Sequence, residues 1–266
     1  MKRAGILLLA FGILIAPSHS QAPRFPIMET TVDDIHAAYK AGSLTARQLV
    51  EAYIDRIKTY DAQGPKINSV ITINSQAVAD ADKLDAAFKK SGLTGPLHGI
   101  PILIKDEIDT AGMPTTLGSI VFKNYRPTRD AFVVERLRNA GAIILGKTTL
   151  SEFAAGDTYS GLFGATRNPY NLERTVGGSS GGSAAALAAN FSALAVGEET
   201  VASIRRPATC NESGLHRVGR SGHDCRSYQR TSRTKRSRNF DPAKTISGRS
   251  GLHYEGPGSE SRDPRS

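Results

Sequence analysis

Two stretches of the chain carry residue types and spacings that could do chemistry. Lys105 follows the apolar run Ile102-Leu103-Ile104 and precedes Asp106. A lysine ending an exposed strand is an ordinary surface residue. One at the mouth of a buried strand is partly desolvated, and desolvation disfavours the ammonium and frees a neutral amine to act as a base. The second stretch, Thr175 to Ser183, contains Gly177-Gly-Ser179-Ser180-Gly181-Gly-Ser183 and runs straight into Ala184-Ala-Ala-Leu-Ala-Ala189. By composition it reads as a flexible linker. Consecutive glycines ahead of a helix also expose backbone N–H groups and permit close approach, which is a reactive-loop geometry.

Three short patterns fail on context. Gly141 to Thr148 fits GxxxxGK[ST], but a phosphate loop needs a strand before its first glycine and an exposed loop between the two, whereas here Ala142-Ile-Ile-Leu145 is itself the strand. Gly177 to Gly181 fits G-x-S-x-G, yet a nucleophile elbow follows a hydrophobic strand, and Asn168 to Arg174 is polar and turn-like. The elbow also needs a downstream histidine, and His216, His223 and His253 all lie in the atypical C-terminal segment. Ser232-Arg-Thr-Lys235 fits S-x-x-K in that same segment, with no apolar helix to carry it.

The elements that must position Lys105 and the serine loop are legible as alternating helices and short apolar strands. Thr31, with Asp33 and Asp34 in the first turn, opens a helix that Gly42 closes. Thr45 with Gln48 has the capping-box spacing, and Leu49, Tyr53, Ile54 and Ile57 then share one face. A third helix runs from about Ser75 to Lys90 and ends at Gly92, and a fourth runs from Ala131 to Asn139 and ends at Gly141. Ile100–Ile104, Ala142–Leu145 and Phe191–Val196 read as buried strands, and Ala184–Ala189 as an apolar helix. The alternation predicts an α/β layered fold with a buried sheet.

Composition separates the ends from the body. Lys2 and Arg3, the apolar run Ile6 to Ala16, and the small residues Ser18 and Ser20 read as a secretory signal peptide over residues 1–20. The run is too short to span a bilayer comfortably, so membrane attachment is expected only if that segment stays uncleaved as an anchor. From Cys210 to Ser266 there are 12 Lys and Arg against 6 Asp and Glu, so most of the net +9 lies there rather than in the body. Leu215, Val218, Phe240, Ile246 and Leu252 are its only large aliphatic or Phe side chains, too few for a core, and a disordered tail over 210–266 is expected. The switch is abrupt, as a frameshift near codons 209–214 would make it. The basic tail raises anionic surfaces and nucleic acid as partners, but it has no aromatic residues placed for stacking, so no nucleic-acid partner is expected. Both cysteines, Cys210 and Cys225, lie in the tail, which excludes a disulfide or cysteine zinc site from the body.

Three segments in order, Gly99-Ile-Pro-Ile-Leu-Ile-Lys105-Asp106, Gly177-Gly-Ser-Ser-Gly-Gly-Ser183 and Ser203-Ile-Arg-Arg-Pro207, resemble the amidase signature family. Gly95 to Gly99, Ala140 to Thr148 and Ser151 to Ala154 extend the likeness, which covers about Thr31 to Ala208, with Gly214-Leu215 as a last echo. The resemblance implies an α/β/α layered fold around a mixed sheet, present here as its N-terminal part over 21–209. It implies a Ser–cis-Ser–Lys triad with Ser203 as nucleophile, Ser179 as the bridging cis-serine and Lys105 as base. Ser180 would add a hydrogen bond to that network. The backbone N–H groups of Thr200, Val201, Ala202 and Ser203 would form the oxyanion hole. The implied reaction is hydrolysis of a small-molecule carboxylic amide to acid and amine or ammonia, with no cofactor and no metal.

The chain departs from the family pattern before the nucleophile. Two glycines usual there are replaced by Val201 and Ala202, which leaves the oxyanion loop less backbone freedom, while Glu199 keeps an acid able to pair with Arg205. The family also continues well beyond this likeness to complete its sheet and acyl pocket, so activity is expected to be impaired in the chain as written. A glutamyl-tRNA amidotransferase-like subunit is the alternative within the family, and a non-catalytic fragment with a basic binding tail the alternative outside it. The leader argues for export, to the periplasm or beyond, and against a tRNA substrate.

Overall fold

The computed structural model describes residues 25–211. The signal peptide expected at 1–20, and all of the expected tail beyond Asn211, lie outside the described residues.

Helix α1, Val32–Lys40, and helix α2, Ala46–Ile57, both begin on the capping boxes their sequences contain. The Thr31 hydroxyl accepts from the Asp34 N–H at 3.1 Å while the Asp34 carboxylate accepts from the Thr31 N–H at 3.0 Å. Thr45 and Gln48 make the same reciprocal pair at 3.1 and 3.0 Å. Each such cap contributes about 1 kcal/mol to its helix. The α2 face predicted to be apolar is buried at Leu49, Val50, Tyr53 and Ile57.

Strand β1, Val70–Ile73, precedes helix α3, Ala77–Ser91, whose chain turns at Gly92. Strand β2 is Pro101–Lys105, helix α4 is Phe132–Asn139 and strand β3 is Ile143–Thr148. A two-residue hairpin follows, β4 Tyr159–Ser160 with β5 Gly164–Ala165. Helix α5, Gly181–Ala188, strand β6, Leu194–Val196, and helix α6, Arg205–Cys210, complete the order.

The main sheet runs β1-β3-β2-β6. Strand β2 is parallel to both of its neighbours, and β1 lies antiparallel on the β3 edge, so the sheet is mixed as expected. Every residue of β2 and β3 is buried, which requires cover on both faces and explains why these strands read as continuous apolar runs. Alternation puts Leu103 and Lys105 on one face of β2 and Ile102 and Ile104 on the other. Pairing of Lys105 with Thr148, and of Ile104 with Val196, brings the carboxyl ends of three parallel strands to one edge.

Strand β1 and helix α6 were not expected. Strand β1 is a short edge strand whose residues are all half-buried, so no clean alternation marks it. Helix α6 carries Pro207 in its first turn, a position where a missing N–H costs nothing. It also reaches beyond the compositional boundary. Cys210 is its last residue, and buried Asn211 donates to the Val176 carbonyl at 2.9 Å and the Pro207 carbonyl at 2.8 Å. These two residues, placed with the tail by composition, thus belong to the folded body.

The glycines around Ser179 are needed for approach rather than for flexibility. A Cβ on Gly182 would overlap Thr149, side chain and backbone alike, and one on Gly178 would overlap the Gly156 carbonyl oxygen. Gly182→Ala therefore forces α5 away from the end of β3. Overpacking of this kind typically costs about 1–3 kcal/mol, and the urea midpoint of Gly182→Ala is expected to fall accordingly, whereas Gly112→Ala, with open space at its Cβ but a φ of +77°, tests strain without overlap.

Candidate active site

The shared edge of β2, β3 and β6 is where an α/β sheet offers a site, just beyond the carboxyl ends of its parallel strands. Lys105 ends β2 there with its side chain fully buried. Its Nζ donates to Ser179 Oγ at 2.7 Å and to the Glu198 carbonyl at 3.4 Å. The Gly178–Ser179 peptide is cis.

The serine loop is held from both sides. On one side the Ser151 N–H donates to the Ser179 carbonyl at 3.2 Å, and the Thr158 hydroxyl donates to the Gly177 carbonyl at 2.8 Å. On the other, the Ser180 hydroxyl donates to the Glu198 carbonyl at 3.0 Å, and Ser183 Oγ donates to the Val196 carbonyl at 3.0 Å. Ser180 thus anchors the segment after β6 and shares the Glu198 carbonyl with Lys105 Nζ. Ser183 also meets Thr148 Oγ1 at 2.8 Å, which ties the start of α5 to the end of β3.

Ser203 is half-buried and lies two residues before α6. The Ser180 N–H donates to its carbonyl at 3.1 Å, so the two serine segments are joined through their backbones. Among the described residues no hydrogen bond links the Ser203 hydroxyl to Ser179. Nor does any backbone N–H from Thr200 to Ser203 donate to a protein acceptor among them. None of the four has a left-handed φ, so Val201 and Ala202 occupy the positions of the absent glycines without backbone strain.

Glu199 fixes this segment. Its carboxylate accepts from the Ile204 and Arg205 N–H groups, both at 2.9 Å, and pairs with Arg205 Nε at 2.8 Å. Burial opposes its charge, but these donors hold it below the usual carboxylate range. A carboxylate on the first amides of α6 is the favourable sign for a helix N-terminus.

Sequence reasoning missed three charged groups, two of them beside Lys105. Glu107 Oε1 stands 2.7 Å from Nζ, and Glu198 Oε2 stands 3.8 Å from it. Glu107 lies two residues after the lysine, among the acids Asp106 and Asp109, and nothing in that local pattern singles it out. Burial pushes its carboxyl above the usual range, and Glu198 adds to this, against the pull of Lys105. The third group is Lys147, which the rejected phosphate-loop pattern contained. It is fully buried on β3 and donates to the Asp106 and Ile108 carbonyls at 2.8 Å and to the Pro114 carbonyl and Thr115 hydroxyl at 3.3 Å. Asp106, itself raised by burial, accepts from the Thr116 N–H and hydroxyl at 3.0 and 2.9 Å. Together they staple the loop that carries Glu107.

Burial lowers the Lys147 ammonium to about 8, against the pull of Asp106, Asp109 and Glu107. Between that value and the ordinary 10.5 the unfolded chain binds more protons than the folded one, so stability rises with pH in this window. Wild type is expected to gain about 2 kcal/mol relative to Lys147→Met between pH 8 and pH 10. Urea unfolding of both proteins across that range checks it.

Fold and site together define an α/β protein with a lysine-supported serine cluster at the carboxyl ends of its parallel strands. A family profile described as Amidase matches residues 48–215. A glutamyl-tRNA(Gln) amidotransferase subunit of Lachnospira eligens is 46% identical over 192 residues, 71% of this chain and 39% of that protein. The native peptide amidase of Stenotrophomonas maltophilia superposes with a TM-score of 0.67 at 44% identity, over 69% of this chain and 39% of that one. A bacterial aryl acylamidase of the amidase signature family superposes with a TM-score of 0.59 at 30% identity, over 63% and 35%. The chain belongs to the amidase signature family, and it spans about two fifths of the length of the curated relatives it matches.

Proposed function

We propose that the chain carries the catalytic constellation of a serine amide hydrolase, with Ser203 as nucleophile, Ser179 as proton relay and Lys105 as base. The observation that supports this most is the 2.7 Å bond from the buried Lys105 Nζ to Ser179 Oγ, on a loop whose next residue is bonded to Ser203. In this reading the neutral Lys105 amine takes the Ser179 proton as Ser179 takes that of Ser203. Ser203 Oγ then adds to the amide carbonyl. In the same reading the amides from Thr200 to Ser203, which have no protein acceptor among the described residues, receive the developing oxyanion, each donor being worth about 3 kcal/mol when well aimed. The proton returns through Ser179 to the departing amine, and water frees the acid from the acyl-serine.

The substrate class is a small carboxylic amide. Exposed Ile120, Val121, Phe122 and Phe153, the last two edge to face at 6.2 Å, give an aryl or alkyl group an apolar surface near Ser151. Export is part of the same reading and rests on Lys2, Arg3 and the apolar run after them. A second reading, glutaminase-type ammonia release for an amidotransferase, is favoured by the 46% identity to a protein named as an amidotransferase component.

The test is amide turnover by the full chain, with a 4-nitroanilide, a peptide carboxamide and glutamine compared side by side. Ser203→Ala is expected to abolish release and Lys105→Ala to lower it by about 10²–10⁴-fold. Full activity in Ser203→Ala contradicts the assignment, and turnover confined to glutamine decides for the second reading.

A further inference from the structure

We propose that Glu107, backed by Glu198, is the counter-ion that holds Lys105 as an ammonium and so sets the pH at which its amine becomes available to Ser179. This rests on the reading of Lys105 as the base. A base must be unprotonated before it can draw a proton, and a carboxylate 2.7 Å from Nζ stabilises the protonated form. Solvent does little to weaken that attraction. The Lys105 side chain is 0% exposed and that of Glu107 13%, while Glu198 at 43% is the wetter and more distant partner.

The groups facing this pair come from four directions. Lys105 rises from the end of β2, and Glu198 follows β6. Lys147, on β3, acts on Glu107 through space. From the loop before α5 come only the hydroxyls of Ser179 and Ser180, which carry no charge. Two acidic side chains thus face one lysine at the reacting edge, with Lys147 held by its own four acceptors.

Glu107 is not explained as a prop for its loop. Apart from Lys105 Nζ at 2.7 Å, no other hydrogen-bond donor among the described residues serves Oε1, and the loop is pinned by Asp106 and Lys147. The Glu107 carboxyl faces Lys105 and Glu198 together. Glu107 is accordingly a positioning residue that acts through Lys105. As pH rises the amine is released to Ser179, and removal of the Glu107 charge moves that release to lower pH.

The experiment titrates Lys105 directly in the full chain, enriched with [ε-¹³C]lysine, by NMR from pH 6 to 11. The resonance is assigned by its loss in Lys105→Met. Glu107→Gln is expected to lower the Lys105 midpoint by about one pH unit or more, a tenfold change in proton affinity, and Glu198→Gln to lower it by less. Lys147 supplies an internal control of folding as a second buried lysine with a midpoint near 8. An unchanged Lys105 midpoint in Glu107→Gln, with the Lys147 resonance still dispersed, overturns the proposal. If Glu107→Gln loses that resonance, Glu198→Gln decides, and an unchanged midpoint there overturns it as well. A lowered midpoint in a chain with no amide turnover upholds the counter-ion and counts against the catalytic reading instead.

Discussion

Burying the Lys105 side chain is the demand around which the site is organised. A lysine taken wholly out of water must recover its lost hydration from fixed partners, or lose its proton. Here the partners come from three separate segments: Ser179 on the glycine loop, the Glu198 backbone after β6, and Glu107 just beyond β2. The Glu198 backbone reaches Nζ because β2 and β6 end together through parallel pairing, and β3 ends alongside them. The glycine loop must also press against the Ser151–Thr158 segment and the end of β3, where side chains at 178 and 182 would collide. One buried lysine thus constrains sheet register, loop composition and the placement of α5 at once.

The fold was legible where a local device could be read without context. Thr31 and Thr45 announce their helices because capping is a contact between residues three apart. The parallel strands announce themselves because burial on both faces leaves no polar residue in Ile102 to Ile104 or Ala142 to Leu145. Strand β1 and helix α6 were not legible. Pairing of β1 with β3 and the Glu199 cap on α6 are set by segments that the chain must first bring close.

The site divides the same way. Lys105 and the serine loop were marked by local pattern, Ser203 and the three roles came from resemblance to a family, and the structure supplies the bond from Lys105 to Ser179 and the backbone link from Ser180 to Ser203. Their electrostatic setting was not found. Glu107 and Glu198 are ninety-one positions apart, and nothing in either neighbourhood tells that both face the same ammonium. The relatives carry names as different as peptide amidase and amidotransferase over the same two fifths of their length. That shared part holds the strand ends and the serine loop, so it accounts for common chemistry rather than for choice of substrate.

The central claim is that Lys105, Ser179 and Ser203 form one working unit, and reactivity tests it most directly. The full chain would be exposed to a serine-directed aryl phosphonate, digested, and the adduct located by mass spectrometry, in wild type and in Lys105→Met. A single adduct on Ser203 is predicted, forming far more slowly in Lys105→Met, since an unassisted hydroxyl is a poor nucleophile. An adduct on Ser179 or Ser180 with Ser203 unmodified, or labelling at the same rate without Lys105, would contradict it.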